Sequence, residues 1–231
     1  MTKVYSEHPK HYVAVDCIIF GYEITDKELK LLLIKRGFDP AKGKWSLAGG
    51  FVQEGESLDD AAGRVLRSLT GISDLYMEQL YTYGDVERDP GARVISSAYF
   101  ALIGIHEPDR MKQEKNGAHW RSISDLPDLI FDHRKMVDRA LAELVECIKV
   151  HPVGFELLPE KFTLVQLQSL YEAIYRKAID KRNFRKKILS MNLLDKQDDK
   201  ERETSRKGAY YYRFNEQKYR ELTRNGSFFN L

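Results

Sequence analysis

The sequence predicts a mixed α/β (α+β) domain over residues 1–150 and a small helical domain over residues 163–231. Strand patterns interspersed with two helical patterns fill the first part. Two prolines and a glycine between residues 151 and 162 predict a linker. The charge also changes sign: residues 1–159 contain 20 Lys+Arg and 25 Asp+Glu, a net −5, whereas the rest contain 17 and 10, a net +7.

Local patterns place the elements of the first domain. Runs of β-branched and aromatic residues predict strands, and short extended pieces surround Gly49 and Gly50. Ser57 is a good N-cap and Gly71 a good helix terminator, so they bound a helix over residues 58–70. A second helix has apolar residues at helical spacing over residues 133–150. The predicted strands cover residues 11–24, 31–36, 45–52, 75–85, 93–105 and 118–124.

Composition narrows the class of protein. Hydrophobic residues make up 42% of the 231 residues, which is sufficient for at least one core. No apolar run reaches the length of a membrane span, and the N-terminus lacks the apolar centre of a signal peptide. Cys17 and Cys147, the two cysteines, lack metal-ligand or redox spacing. We therefore expect a reduced, cytoplasmic protein with no membrane partner and no cofactor.

The basic second part has two interpretations. Such an asymmetry is typical of a chain whose basic part binds a polyanion. A solvated charged surface without a partner explains the charge alone equally well.

The spacing of four residues in the first domain matches a known sequence motif. Gly50, Glu56, Arg64 and Gly71 are separated by five, seven and six residues, and this pattern resembles the Nudix box. The preceding strand, the segment WSLAGGFV and the later segment FDHR also resemble Nudix proteins. The resemblance covers about residues 10–150 and implies a Nudix-like fold.

The resemblance also implies a Mg²⁺-dependent hydrolase, but the carboxylates are missing. Positions 65, 68 and 69 share one helix face, and the family pattern has glutamate at all three. Here these positions are Val65, Ser68 and Leu69: the two apolar side chains offer a hard cation no oxygen ligand, and the serine offers only a weak neutral one. We expect no catalytic residue, no metal site and no hydrolysis.

Two alternatives stay open for the acids that remain. Glu54 and Glu56 could bind a metal together with Asp85 or Glu87. The preferred interpretation is that Glu56 and Arg64 form an ion pair that brackets the loop.

The sequence pattern of the second domain predicts a winged helix-turn-helix fold. Thr163 caps a helix over residues 164–178, and Asp180 caps another over residues 181–191, with an apolar stripe of Phe184, Ile188 and Leu189. Short strands at 193–196 and 209–214 flank a charged loop, as in a wing.

Basic side chains on the second helix and wing suit double-stranded DNA. Arginine can read guanine, asparagine adenine, and lysine can neutralise phosphate. Tyr210, Tyr211 and Tyr212 could stack on bases, although packing on the domain core is the commoner role of such residues. The predicted DNA-binding residues are Lys181, Arg182, Asn183, Arg185, Lys186, Lys200, Arg202, Arg206 and Lys207.

The whole chain resembles the family of Nudix-related transcriptional regulators, most strongly in FTLVQLQSLYEAIYRKAIDKRNFRKKIL. The resemblance implies a dimeric cytoplasmic repressor whose Nudix-like domain senses a small effector. SRKGAYYYRF departs from the Arg-Pro pair that such proteins often have there, which leaves the wing contacts open.

The resemblance leaves two classes of effector. Some members respond to ADP-ribose and others to pentoses. Because the metal-binding acids are absent, a neutral pentose is preferred, L-arabinose before xylose, with ADP-ribose second. The candidate ligand-binding residues are Lys44, Trp45, Glu56, Asp85, Glu87 and Arg88.

The sequence is compatible with two functions that belong to different classes of protein. The first is a ligand-responsive repressor without catalysis, and the second is an active Nudix hydrolase of ADP-ribose-like nucleotides with an appended DNA-binding domain. The residues at positions 65, 68 and 69 favour the first. The sequence leaves open whether the ligand releases or promotes DNA binding.

Overall fold

The computed structural model describes residues 5, 7–152, 154–202 and 208–224, which divide into two compact units. The first unit contains the described residues up to Phe20, with Leu31–Leu102 and His106–Ala140. The second contains Gly21–Lys30, Ile103–Ile105 and the described residues from Leu141 onward.

A seven-stranded sheet lies mostly in the first unit. Its strands are β1 (Tyr12–Glu23), β2 (Glu28–Lys35), β3 (Trp45–Ser46), β4 (Ala48–Phe51), β5 (Glu78–Tyr83), β6 (Val94–Gly104) and β7 (Ala118–Ser122). Five strands follow the order β3–β2–β1–β6–β5, while β4 pairs with β1 and β7 with β2. The central strand β1 is buried over almost its whole length, which explains its nearly continuous apolar sequence.

The helix that follows the Nudix-like loop has the predicted bounds. Helix α1 (Leu58–Thr70) begins where the Ser57 hydroxyl accepts a hydrogen bond from the Asp60 amide. It ends at Gly71, whose φ of +76° is the left-handed conformation that glycine adopts readily. Local capping chemistry therefore determines both ends.

Two further helices complete the chain up to residue 150. Helix α2 (Glu107–Lys115) was not predicted, because its sequence EPDRMKQEK has no apolar stripe and buries Gln113 alone. Helix α3 (His133–Val150) has the predicted bounds.

The second unit has the predicted winged helix architecture. Helices α4 (Leu164–Tyr175) and α5 (Lys181–Ser190) are joined by a short turn. Strands β8 (Phe162–Thr163), β9 (Leu194–Glu201) and β10 (Ala209–Phe214) form an antiparallel sheet in the order β8–β10–β9, and α6 (Glu216–Arg224) follows. The fold class is thus an α/β Nudix-like domain followed by a winged helix domain.

The predicted linker contains unanticipated structure. A 3₁₀ turn, Phe155–Leu157, precedes β8, and the Phe155 ring stacks on Phe214 with centroids 4.3 Å apart. Phe162 on β8 is buried and lies opposite Tyr212 on β10. Aromatic packing of this kind depends on partners 50 or more residues away, which local Pro and Gly signals do not reveal.

One residue of the predicted apolar stripe is misplaced. Phe184 and Ile188 are buried as predicted, but Leu189 is 45% exposed. Residues 184 and 188 are one helical turn apart and face the domain core, whereas position 189 lies outside that buried face.

Within the described ranges, no helix combines the length and apolar character that crossing a membrane requires.

Candidate ligand site and nucleic-acid interface

A cavity of about 270 Å³ in the first unit lies where the Nudix-like loop, α1 and the end of β2 meet. Leu69 of α1 lines one side, and the backbone of Gly49 and Gly50 lines another. Arg36 and Phe38, just beyond β2, contribute a cation and an aromatic ring. A concave surface with a few polar groups is the usual form of a small-molecule site.

Two glycines allow the cavity wall to close. Gly49 lies opposite Asp16 in the β1–β4 pairing, and a Cβ at position 49 would lie 2.2 Å from Asp16 Oδ1. At Gly50 a Cβ would lie 2.8 Å from Val65 Cγ2. Glycine at both positions therefore lets β4 approach an acidic side chain on one side and α1 on the other.

Buried charges form the floor of the cavity. Asp16 accepts a hydrogen bond of 2.6 Å from the Ser96 hydroxyl. Arg88 Nη2 lies 3.6 Å from Asp16 Oδ2 and makes the shorter, two-point ion pair with Asp132. Because each charge is paired inside the protein, the cluster avoids the large cost of burying an isolated charge.

His133 closes this cluster at the start of α3. Its Nδ1 accepts a hydrogen bond of 3.1 Å from the Leu47 amide, which leaves the proton of the neutral ring on Nε2. Nε2 faces Asp16 Oδ1 at 3.6 Å. Burial lowers the pKa of His133, and this outweighs the opposing influence of Asp16 and Asp132. The neutral ring is therefore the form that the fold favours.

The rim of the cavity combines cations and aromatic rings. The Arg36 guanidinium lies 4.1 Å from the centroid of Phe38 and 5.2 Å from that of Phe131. Lys35 also lines the cavity, and its Nζ lies 3.7 Å from the centroid of Trp45. Rings that hold cations at a cavity mouth suit an anionic ligand that also has a flat group.

Glu56 and Arg64 form the predicted ion pair. Arg64 donates from Nη2 to Glu56 Oε1 at 2.6 Å and from Nε to Oε2 at 2.8 Å, and the Gln53 amide donates to the same carboxylate. The Arg64 contact, together with the Gln53 amide, lowers the pKa of Glu56 to about 2. The pair closes the loop between β4 and α1.

The residues at the family's metal-binding positions do not fit Mg²⁺. Val65 is buried, and Leu69 lines the cavity with an apolar side chain. The Ser68 hydroxyl donates to the Val65 carbonyl at 3.0 Å. Among the residues that the structure describes, no group of three His, Cys, Asp or Glu side chains could hold a metal ion.

The predicted ligand residues lie in different surroundings. Arg88 lines the cavity, and with Asp85 and Glu87 it also lines a shallower groove of about 730 Å³. Lys44 is exposed and Trp45 half-buried, and neither lines the cavity. Glu56 is held by Arg64, as described above.

The sequence did not predict most of the side chains that line the cavity. They are widely separated in sequence, so only the fold brings them together. The FDHR segment, noted above as a resemblance, was the one available signal, since it contains Phe131, Asp132 and His133. The missed residues include Asp16, Lys35, Arg36, Phe38, Phe131 and His133.

The second unit presents the predicted recognition helix. The Asp180 carboxylate accepts a hydrogen bond of 2.8 Å from the Asn183 amide and caps α5. Glu172 accepts hydrogen bonds from the Ile179 amide and the Gln168 side chain, which fixes the turn between α4 and α5. The turn geometry is thus determined by side chains of α4.

Most of the predicted DNA-binding side chains are accessible. Arg185 is partly buried, and its enclosed Nε has no hydrogen-bond partner among the described residues. Arg206 and Lys207 lie outside the described residues. Exposed are Lys181, Arg182, Asn183, Lys186 and Arg202, whereas Lys200 is half-buried.

Known proteins match both units. The NUDIX domain model matches residues 10–140, and the model for the NrtR DNA-binding winged helix domain matches residues 154–214. The ADPR responsive transcriptional repressor NtrR of Acinetobacter baylyi is 31% identical over 218 residues, 93% of this chain and 86% of the relative. An ADP-ribose pyrophosphatase of Methanocaldococcus jannaschii is 37% identical over 130 residues, 56% of this chain and 72% of the relative.

Solved structures match the same architecture. Shewanella oneidensis NrtR in complex with a 27mer DNA is 30% identical, with a TM-score of 0.75 over 95% of this chain and 99% of that one. The NUDIX domain of the same protein in complex with ADP ribose is 29% identical, with a TM-score of 0.53 over 62% of this chain and 99% of that one. Since the two family models lie side by side along the sequence and the match to the repressor spans nearly all of it, the chain belongs to the NrtR family of transcriptional regulators, in which a NUDIX domain precedes a DNA-binding winged helix domain.

Proposed function

We propose that this protein is a transcriptional repressor that binds ADP-ribose in the NUDIX cavity and DNA through its winged helix domain. The main observation in support of ADP-ribose as the effector is the pair of cationic side chains at the cavity. Both Lys35 and Arg36 line the cavity and pack on aromatic rings, and neither forms an ion pair with a carboxylate among the described residues. Two such cations suit the pyrophosphate of ADP-ribose.

The expectation of a pentose effector is not supported. It rested on the missing metal-binding acids, but cationic side chains can bind a pyrophosphate without a metal. A neutral sugar would leave the charges of Lys35 and Arg36 unused. The exposed ring of Phe38 offers a flat surface for the adenine base, and the names of the relatives point to ADP-ribose as well.

We propose further that the NUDIX domain senses its ligand without hydrolysing it. The support is the donor set described above, with Val65, Ser68 and Leu69 at the metal positions and Glu56 bound to Arg64. The second candidate is an active hydrolase, and the observation in its favour is the 37% identity to an ADP-ribose pyrophosphatase.

DNA binding is assigned to α5, β9 and β10. The predicted set of basic residues remains our proposal for the contacts, and the match to an NrtR–DNA complex supports it. We propose a homodimer as the functional unit, because one recognition helix reads few base pairs. The two half-sites would lie about 34–36 Å apart, or a multiple of that, along the duplex. The domain boundaries at residues 150 and 163 also remain a proposal.

The test is calorimetric titration of the full chain with ADP-ribose, AMP and L-arabinose, each with and without Mg²⁺. We expect ADP-ribose to bind without Mg²⁺ and L-arabinose not to bind. Arg36→Ala should weaken ADP-ribose binding by roughly 10-fold or more, since it removes a charge-assisted contact. Arg67→Ala, at an exposed position of α1, is the matched control. Saturable binding of L-arabinose alone would contradict the proposal.

A further inference from the structure

The two wing strands place two lysines on one tyrosine. Lys196 Nζ lies 3.6 Å and Lys200 Nζ 4.2 Å from the centroid of the Tyr210 ring. Lys200 on β9 pairs directly with Tyr210 on β10. Tyr210 keeps 38% of its surface exposed, so the ring is not part of the domain core. We call Lys196, Tyr210 and Lys200 the wing platform.

Charge at the platform is not balanced within the described residues. Two acids of β9 form ion pairs with lysines outside the platform: Asp195 with Lys218 at 2.7 Å and Asp199 with Lys161 at 2.8 Å. Asp198 lies between the two lysines in sequence, but it forms an ion pair with neither in the part of the chain described. Two ammonium groups on one ring repel each other, and a polyanion relieves that repulsion.

We propose that the wing platform binds the phosphate backbone of DNA, with both lysines as phosphate contacts and Tyr210 as the positioning residue. This inference rests on the proposed DNA-binding function and extends it to Lys196 and Tyr210. The ring attracts both ammonium groups through its π face and so holds two flexible side chains before DNA arrives. Side chains that are already ordered lose less conformational entropy on binding.

The platform should affect all DNA sequences alike. A phosphate contact carries no base information, in contrast to the side chains on α5. The appropriate probe is therefore a random-sequence duplex of about three helical turns, titrated over a range of salt concentrations. The slope of log affinity against log salt counts the phosphates that are neutralised.

Three variants separate the roles. Replacing Lys196 and Lys200 together by alanine should reduce the slope by about 2, because each phosphate contact contributes about 0.9. Tyr210→Leu should weaken binding roughly 3- to 10-fold while the slope stays close to the wild-type value, since both charges remain. Tyr210→Phe keeps the ring and should bind like the wild type.

Two exposed lysines of α2, Lys112 and Lys115, provide the matched charge control. Their double alanine variant should leave the slope unchanged, and the melting temperature of every variant should be recorded. If the wild type binds DNA but the lysine and Tyr210→Leu variants match its affinity and slope, the platform is excluded and the DNA-binding function stands. If the wild type binds no duplex, the proposed function itself fails.

Discussion

Arg88 and Asp132 form a two-point ion pair in the interior of the NUDIX domain, with Nε–Oδ2 and Nη2–Oδ1 distances of 2.9 and 2.8 Å. Their side chains are 3% and 8% exposed. Arg88 Nη2 also lies 3.6 Å from Asp16 Oδ2. Protein carboxylates therefore hold the Arg88 guanidinium in place where it lines the cavity.

Breaking this pair should be costly to the fold. Asp132→Asn leaves Arg88 with the more distant Asp16 as its one ion-pair partner among the described residues. We expect the free energy of unfolding to fall by about 3 kcal/mol. Urea denaturation measures it. The control is Asp138→Asn, which breaks the exposed pair with Arg134 and should cost less than about 1 kcal/mol. Equal losses in the free energy of unfolding for the two variants would show that the interior pair stabilises the fold no more than the exposed pair does.

Acid should destabilise the protein through His133. Its pKa is lowered in the fold, whereas the unfolded chain takes up the proton near its ordinary value of 6.5. Below that pH the unfolded state binds more protons, so stability is full above pH 6.5 and decreases as the pH falls. Glu56, with its pKa lowered to about 2 from 4.5, contributes to the loss in a more acidic range.

The measurement is the free energy of unfolding between pH 7.5 and 5, a window about the ordinary histidine pKa. His133→Asn keeps an acceptor for the Leu47 amide but cannot titrate. Its stability should change less over this window than that of the wild type. Parallel profiles for the two proteins would assign the pH dependence to other groups.

No Mg²⁺-dependent hydrolysis of ADP-ribose is expected. The physical reason is the absence of carboxylate ligands at Val65, Ser68 and Leu69, which leaves the charge on the departing phosphate without a neutralising cation. Product release from ADP-ribose is measured with and without Mg²⁺ against a protein-free blank. Metal-dependent turnover that Glu56→Gln abolishes would instead establish the hydrolase alternative.

The recognition helix should contain both base and phosphate contacts. Arg182→Ala or Arg185→Ala should cost roughly 1–3 kcal/mol at an operator selected by the wild type from random sequences, with less effect on a scrambled duplex. Lys186→Ala should weaken binding to both duplexes equally and reduce the salt slope by about one. Arg110→Ala on α2 is the control. Unchanged binding in all three α5 variants would place the DNA-binding face elsewhere.

ADP-ribose and the operator should change each other's affinity by one factor. Both ligands bind the same protein, so the coupling free energy is common to the two equilibria. The test is a paired titration at fixed salt: operator affinity with and without saturating ADP-ribose, and ADP-ribose affinity with and without operator. Tight ADP-ribose binding that leaves operator affinity unchanged would refute the sensor function while DNA binding stands.

The sequence by itself determined the elements that local chemistry encodes. Ser57 and Gly71 bound α1 through capping and a positive φ, so α1 has both of its predicted ends, and Asp180 starts α5 at its predicted first residue. The spacing from Gly50 to Gly71 identified the first fold, and the basic helix after Asp180 identified the second. These signals lie within a few turns of chain, where hydrogen bonding and side-chain periodicity are local.

Only the tertiary structure decided which side chains meet. Asp16, Arg88 and His133 are widely separated in sequence and come together because β1 and the start of α3 are packed into one unit. The same holds for Lys200 and Tyr210, which strand register brings together, and for Leu189, which lies at an exposed position despite its helical spacing. Burial and pairing of charge depend on neighbours distant in sequence, and no local pattern of the sequence specifies them.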